Sequence, residues 1–288
     1  MIRTSINKKL LDEVHGKLIG TQQIDGEKQM AKIPITSWTT KGTVWIDPEK
    51  ELEYDIQQGA SARGYSESSV LCYQKDLVKI AIEEFSANKT GNHLGCDYYE
   101  FACRDKQIGI VQSGIGSPMA VLILERLIVR GVKRIINAGM AGALQYEGML
   151  PGDLVLCTKA VRNEGTSYHY LEPSRYSYPD KSLVKKIEDV LKKERIPYHK
   201  GPTITIDAPY QFTVQEAIRL REEGVLTSEM EASAIFAVAK FRRISAAALF
   251  LISDLATENF EWNPQFHSSE VRKGFERLFK VCAETLAE

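Results

Sequence analysis

The chain has 288 residues, 43% of them apolar, and a net charge of −1. That is enough to bury a substantial core, and near-neutrality gives no bulk field toward nucleic acid or a membrane surface. The five cysteines are odd in number and irregularly spaced, with no C-x-x-C, so reduced thiols in a cytoplasmic protein are expected rather than a disulfide framework.

In chain order, residues 1–68 are polar and mixed, and are expected to form an N-terminal extension packing on the core or on a partner subunit. The start is charged and lacks the apolar stretch of a signal peptide, and no apolar run approaches the roughly 20 residues needed to span a bilayer. The Gly- and Ser-rich stretch 59–69 reads as a linker or mobile loop. Residues 69–288 are expected to form the main domain. Apolar spacings of three and four predict helices over 76–85, 119–130, 183–193, 213–223, 230–241 and 268–287. Short β-rich runs predict strands over 107–112, 134–138, 153–158, 202–206 and 245–252. The last of these is almost continuously apolar, as in a sheet covered on both faces. Strand and helix alternate, so an α/β fold is expected, with a mixed, mainly parallel central sheet flanked by helices.

In such sheets, ligands bind beyond the carboxyl ends of the strands. Four segments fall there. Ser113-Gly114-Ile115-Gly116 is a glycine turn that can bring backbone N–H groups close to a ligand, or simply a tight strand-to-helix turn. Asn137-Ala-Gly-Met140-Ala-Gly142 again allows close approach, or close packing of strand on helix. Glu229-Met230-Glu231 opens an apolar helix. One such glutamate is commonly only a partner of the helix dipole, but a buried carboxylate needs strong donors, and sugar hydroxyls would serve. Asp254 leaves the apolar strand as a candidate general acid, since burial raises a carboxyl pKa, or as a cap for a following turn. The five histidines show no ligand spacing, so no metal or organic cofactor is expected.

Together the segments SGIGSP, INAGMAGAL, AVRNEGTSYHY, DAPY, SEMEASAIFAVA and LISD resemble the nucleoside phosphorylase superfamily, from about Val70 to the C-terminus. AVRNEGTSYHY is most similar to the uridine phosphorylase branch, and Ser253-Asp254 to the purine phosphorylase and nucleosidase branches. The resemblance implies a nucleoside substrate and a homo-oligomer, dimer or hexamer. It implies that Met230 packs on the ribose, that Glu231 grips ribose hydroxyls with Glu229 beside it, and that Asp254 protonates a leaving purine. It also implies that Tyr210, in the base-pocket stretch Asp207–Tyr210, stacks on the base, with an ordinary buried tyrosine as the alternative. Gly114, Gly116, Asn137 and Met140 correspond to the anion or water site. The chain departs from the phosphorylase pattern there. The stretch Tyr73-Gln-Lys-Asp-Leu77 stands in place of a Gly-Asp-Pro-x-Arg loop, Asn137 in place of an arginine, and Met140 in place of a serine or threonine. A doubly charged anion needs cationic or dense N–H donors, which Lys75 and Lys79 would supply only poorly. The expected reaction is therefore cleavage of the N-glycosidic bond of a purine-like ribonucleoside, with water favoured over phosphate. A true phosphorylase and a catalytically silent nucleoside-binding protein are the alternatives.

Overall fold

A computed structural model describes residues 44–145 and 147–288; the expectation for residues 1–43 lies outside them. Helix α1 (Pro48–Gln57) opens the described chain and is started by Asp47, whose side chain accepts from the Glu49 N–H, with proline at its first position. Both features suit a helix N-terminus. It packs on α3 (Ser117–Val129), where the Arg126 guanidinium pairs with Glu51 and with Asp55. Residues 60–67 carry no regular structure before β1 (Ser68–Cys72).

From β1 the order is α2 (Lys75–Phe85), β2 (Asn88–His93), β3 (Cys96–Cys103), β4 (Lys106–Gln112), α3, β5 (Arg134–Ala143), β6 (Leu154–Asn163) and β7 (Tyr176–Ser177). Then come α4 (Lys181–Lys193), β8 (Tyr198–Ile206), α5 (Val214–Glu222), β9 (Thr227–Glu229), α6 (Ala232–Arg242), β10 (Ser245–Ala256), β11 (Trp262–Pro264) and α7 (Ser269–Ala287). Every helix and strand expected after residue 69 forms. The differences lie in length and in the short strands. β5, β6 and β10 run four to five residues beyond the apolar stretches that announce them, because their ends carry the small and polar residues of the site.

The strands form one mixed sheet between helices. β1 pairs in parallel with β4 and β5, β5 with β10, β6 with β8, and β8 with β9. Antiparallel pairs come from the β2–β3–β4 meander, from β10 against β6 and β11, and from β9 against the end of β5. They are more numerous than the sequence pattern suggests, since β2, β7, β9 and β11 are short and carry little apolar alternation. β5 uses one edge twice: β1 covers Arg134–Ala138, and β9 takes over at Gly142 and Ala143.

The period of two along a strand sorts side chains between the two faces. In β10, Ala247, Leu249 and Leu251 enter a core built with α2, α4 and α7. Ala246, Ala248, Phe250 and Ile252 enter the opposite core, built with α3 and α6. That is why this strand reads as one unbroken apolar run. Each fully buried leucine or isoleucine contributes roughly 1.5–3 kcal/mol of burial free energy. α6 is the extreme helix: Ala232 through Ala239 are all buried, and only its last turn, with Lys240 and Arg242, reaches solvent. It ends at Arg243 in the left-handed region (φ 60°). The five cysteines are unpaired, four of them buried. No helix among the described residues is long and apolar enough to cross a membrane.

Candidate active site

The carboxyl ends of β1, β4, β5, β8, β9 and β10 bring the expected segments together. The centre is the pair Glu229 and Glu231, both buried, and the structure separates their tasks. Glu229 ends β9 and turns back over α6. Its Oε2 accepts from the N–H groups of Glu231 (2.8 Å) and Ala232 (2.7 Å), and its Oε1 from the Thr205 hydroxyl (2.5 Å). Thr205 in turn accepts from the Ser233 N–H (2.9 Å). Glu229 therefore satisfies the orphan donors of the helix start and meets its positive end. Glu231 points the other way, across to the glycine turn, where its Oε1 accepts from the Gly116 N–H at 2.6 Å. The Ser117 hydroxyl donates to the Met230 carbonyl (2.8 Å), fixing the same junction a second time. Met230 itself is half-buried against the small core of β6, β8 and α5.

Burial raises the carboxyl pKa of both glutamates. For Glu229 the Thr205 hydroxyl and two backbone N–H groups oppose that rise. For Glu231 the negative charge of Glu229 adds to it.

Gly116 lies at φ 101°, a conformation glycine adopts freely, and this aims its N–H at Glu231. Gly114 packs against Met119: a Cβ there would meet Met119 Cγ at 2.9 Å. The glycine turn anchors a carboxylate and starts α3, so the Gly116 N–H is not the open anion donor expected of it.

Asn137 on β5 has no exposed surface. Its Oδ1 accepts from the Tyr73 hydroxyl at 2.9 Å, while its Nδ2 has no partner. Tyr73, just past β1, is buried, and its ring lies over Gly139, where a Cβ would come within 2.9 Å of Tyr73 Cδ2. Burial, then the charges of Glu231 and Glu229, hold its phenol well above the usual tyrosine range. Met140 is half-buried and packs toward the core shared by α2, α4 and α7. Lys75 and Lys79 are exposed on α2, the latter 3.8 Å from Glu83; neither reaches the site.

Asp254 falls within β10, which continues to Ala256, so it caps no turn. A bulge at Ser253 sets Asp254 opposite Gly142, and a Cβ at Gly142 would lie 2.9 Å from Asp254 Oδ2. The carboxylate is half-buried, not enclosed as the apolar strand suggests. Its Oδ2 accepts from Trp262 Nε1 (2.9 Å) and its Oδ1 from the Ser253 hydroxyl (2.6 Å). Tyr210, in a short 3₁₀ turn, is 99% exposed. The neighbouring Asp207 accepts from the Gly165 N–H (2.9 Å), tying this turn to the loop after β6.

That loop adds groups the sequence reading did not single out. Glu164 is buried and accepts from the Ser233 hydroxyl and the Ser167 N–H, both at 2.8 Å. Buried Arg162 donates to Ser167 (2.8 Å), to the Glu172 carbonyl (2.7 Å) and to Ser174 (2.8 Å). The Arg162–Tyr170 motif is therefore a braced loop tied to the start of α6. Thr205 is a missed neighbour whose signal was available: with Thr203 it alternates with Ile204 and Ile206 on β8, polar residues in the part of the strand that is buried. Trp262 gave no signal. Among the described residues, no cluster of three His, Cys, Asp or Glu could hold a metal ion.

Known proteins of this architecture share the sequence as well. The profile of the Phosphorylase superfamily matches residues 73–287. A guanosine phosphorylase of Halorubrum lacusprofundi is 29% identical over 166 residues, 54% of this chain and 68% of that protein. A purine nucleoside phosphorylase of Plasmodium vivax is 23% identical over 220 residues, 74% of this chain and 86% of that one. The solved structure of a Vibrio fischeri uridine phosphorylase superposes with a TM-score of 0.68 at 22% identity, covering 77% of this chain and 92% of that one. The chain belongs to the phosphorylase superfamily and is an enzyme of its nucleoside phosphorylase family.

Proposed function

We propose that the chain cleaves the N-glycosidic bond of a ribonucleoside with a purine-like base, and that water is the nucleophile. The observation that carries the cleavage reading is the Glu231 carboxylate, buried beside the glycine turn with one oxygen fixed by Gly116. Its second oxygen would receive the ribose hydroxyls. A charged acceptor holds such hydroxyls more strongly as the sugar gains positive character. In the reaction the C1′–N bond breaks and its electron pair goes to the base. The water oxygen bonds to C1′, and one water proton ends on the base. Asp254 on β10, opposite Gly142 near the end of β5, would face the base and assist that protonation.

Water is favoured over phosphate by what surrounds Asn137. Its carbonyl is taken by Tyr73, the Gly116 N–H is committed to Glu231, and Lys75 and Lys79 face solvent. A dianion would find few donors there. The names of the relatives favour phosphorolysis as the second reading.

A panel of inosine, guanosine, adenosine and uridine, with and without phosphate, decides between them. The expected result is purine release in phosphate-free buffer with free ribose as product. Strict phosphate dependence with ribose 1-phosphate as product would establish phosphorolysis. Binding of nucleoside with no base release would establish a silent binding protein.

A further inference from the structure

Tyr73 is a bulky side chain in a place where bulk has consequences. It follows the last residue of β1, is buried, covers Gly139 with its ring and reaches Asn137 with its hydroxyl. Gly139 has no side chain to resist it. The Gln112 side chain donates to its carbonyl (3.2 Å), and the Ser113 N–H donates to the carbonyl of the preceding Cys72 (2.8 Å). These contacts hold Tyr73 from the β4 side and the β5 side at once.

Its position along β5 gives the direction. Asn137 and Gly139 touch Tyr73, and Gly142, further along the same strand, touches Asp254. A sugar gripped by Glu231 with its base toward Asp254 would turn its opposite face toward Tyr73. An attacking oxygen must approach C1′ from the face opposite the departing base. We propose that Tyr73 is the specificity-determining residue for the nucleophile: its ring fills the approach side of the site and leaves room for a water molecule but for nothing larger. This inference rests on the hydrolytic reading above. The step is unchanged from that reading: an O–H oxygen bonds to C1′, the C1′–N pair leaves with the base, and the nucleophile's proton is passed to the base. Only the size of the R group on the attacking R–OH is governed by Tyr73.

The test is product partition with methanol as the competing nucleophile. Methanol is neutral, so it isolates size from the charge demands of phosphate. Wild-type protein and the Tyr73→Phe, Tyr73→Leu and Tyr73→Ala variants are turned over on inosine in aqueous methanol, and ribose and methyl riboside are counted per base released. Wild type and Tyr73→Phe, which keeps the ring, should give ribose alone. Tyr73→Ala should divert roughly a tenth or more of turnovers to methyl riboside, because excluding one methyl group is worth about 1–3 kcal/mol. Tyr73→Leu serves if the alanine variant does not fold. The ratio of products is independent of overall rate, so general damage does not mimic the effect. Folded Tyr73→Ala and Tyr73→Leu that release base and give only ribose overturn the role of Tyr73 while leaving hydrolysis standing. Methyl riboside from wild type in the same proportion as from Tyr73→Ala does the same. Ribose 1-phosphate from wild type in phosphate overturns hydrolysis and the size limit together. No base release from wild type overturns the reaction, and with it any part for Tyr73.

Discussion

The backbone N–H of Gly116 and the carboxylate of Glu231 meet at 2.6 Å across 115 positions of sequence. This bond joins the start of α3 to the start of α6, and it exists because Gly116 adopts φ 101°. A Gly116→Ala substitution has to hold that conformation with a Cβ or surrender it. The expected cost is about 1–2 kcal/mol of stability. A fall in kcat/KM should accompany it, because Glu231 loses its fixed donor. Denaturant melts and nucleoside kinetics on the purified variant measure both.

Glu231→Gln keeps the shape and removes the charge. If the carboxylate receives ribose hydroxyls, losing a charged hydrogen bond should cost roughly 1.5–3 kcal/mol of transition-state stabilisation. Steady-state kinetics then show kcat/KM lower by about 10- to 100-fold. An unchanged kcat/KM in the folded variant removes Glu231 from the site.

Glu229→Gln should behave differently, since Glu229 serves the helix: it accepts from two backbone N–H groups and the Thr205 hydroxyl. The amide cannot accept at both ends. The variant should lose about 1–3 kcal/mol of stability by leaving a buried donor unmet, read as a lower urea midpoint. A stability loss larger for Glu231→Gln than for Glu229→Gln would reverse the assignment.

The pair also sets a pH dependence. Both carboxyl groups titrate above the ordinary glutamate value of 4.5 in the folded state, so between that value and the raised ones the folded protein holds protons the unfolded chain has released. Stability must fall as pH rises through that interval. The fall should be shallower in Glu231→Gln, which has one such proton fewer to lose. Urea midpoints taken from pH 5 upward on both proteins check the slope.

For Asp254 the diagnostic is the leaving group. If Asp254 assists protonation of the base, Asp254→Asn should slow release of a purine by roughly 10²–10⁴-fold and should matter far less for a nitrophenyl riboside, whose leaving group needs no proton. Equal losses on both substrates would mean structural damage through the Trp262 contact. Good turnover of uridine with none of inosine would end the purine assignment.

The main elements were legible because their signals are local. The 3.6-residue spacing of α2 and α4 and the unbroken apolar run of β10 follow from burial on one face or on both. The carboxylates at 229 and 231 could be suspected because an apolar helix start is a costly place for charge. Which of them caps the helix could not be read, since that depends on the backbone turning between two residues of the same type. Asp254 was expected at the exit of a buried strand; β10 instead runs on to Ala256, and the exposure of Asp254 depends on β11, a three-residue strand with no apolar pattern. Tyr73 was visible only as a residue standing where a glycine was expected. Its burial over Gly139 comes from the register of β1 against β5, which no single stretch of sequence contains. Residues 1–43 lie outside what the structure describes.

The all-round burial of most of α6 has a further consequence for how selective the enzyme can be. The first eight residues of α6 have no solvent face, and amides buried in this way exchange through the larger openings of a fold; Glu231 immediately precedes them. Asp254 is half-buried and steadied by an indole from a three-residue strand, a shorter and more exposed support. The end of the cleft assigned to the sugar is thus stiff and the end assigned to the base is compliant. Changes to the ribose should be punished severely, while a range of bases should be tolerated.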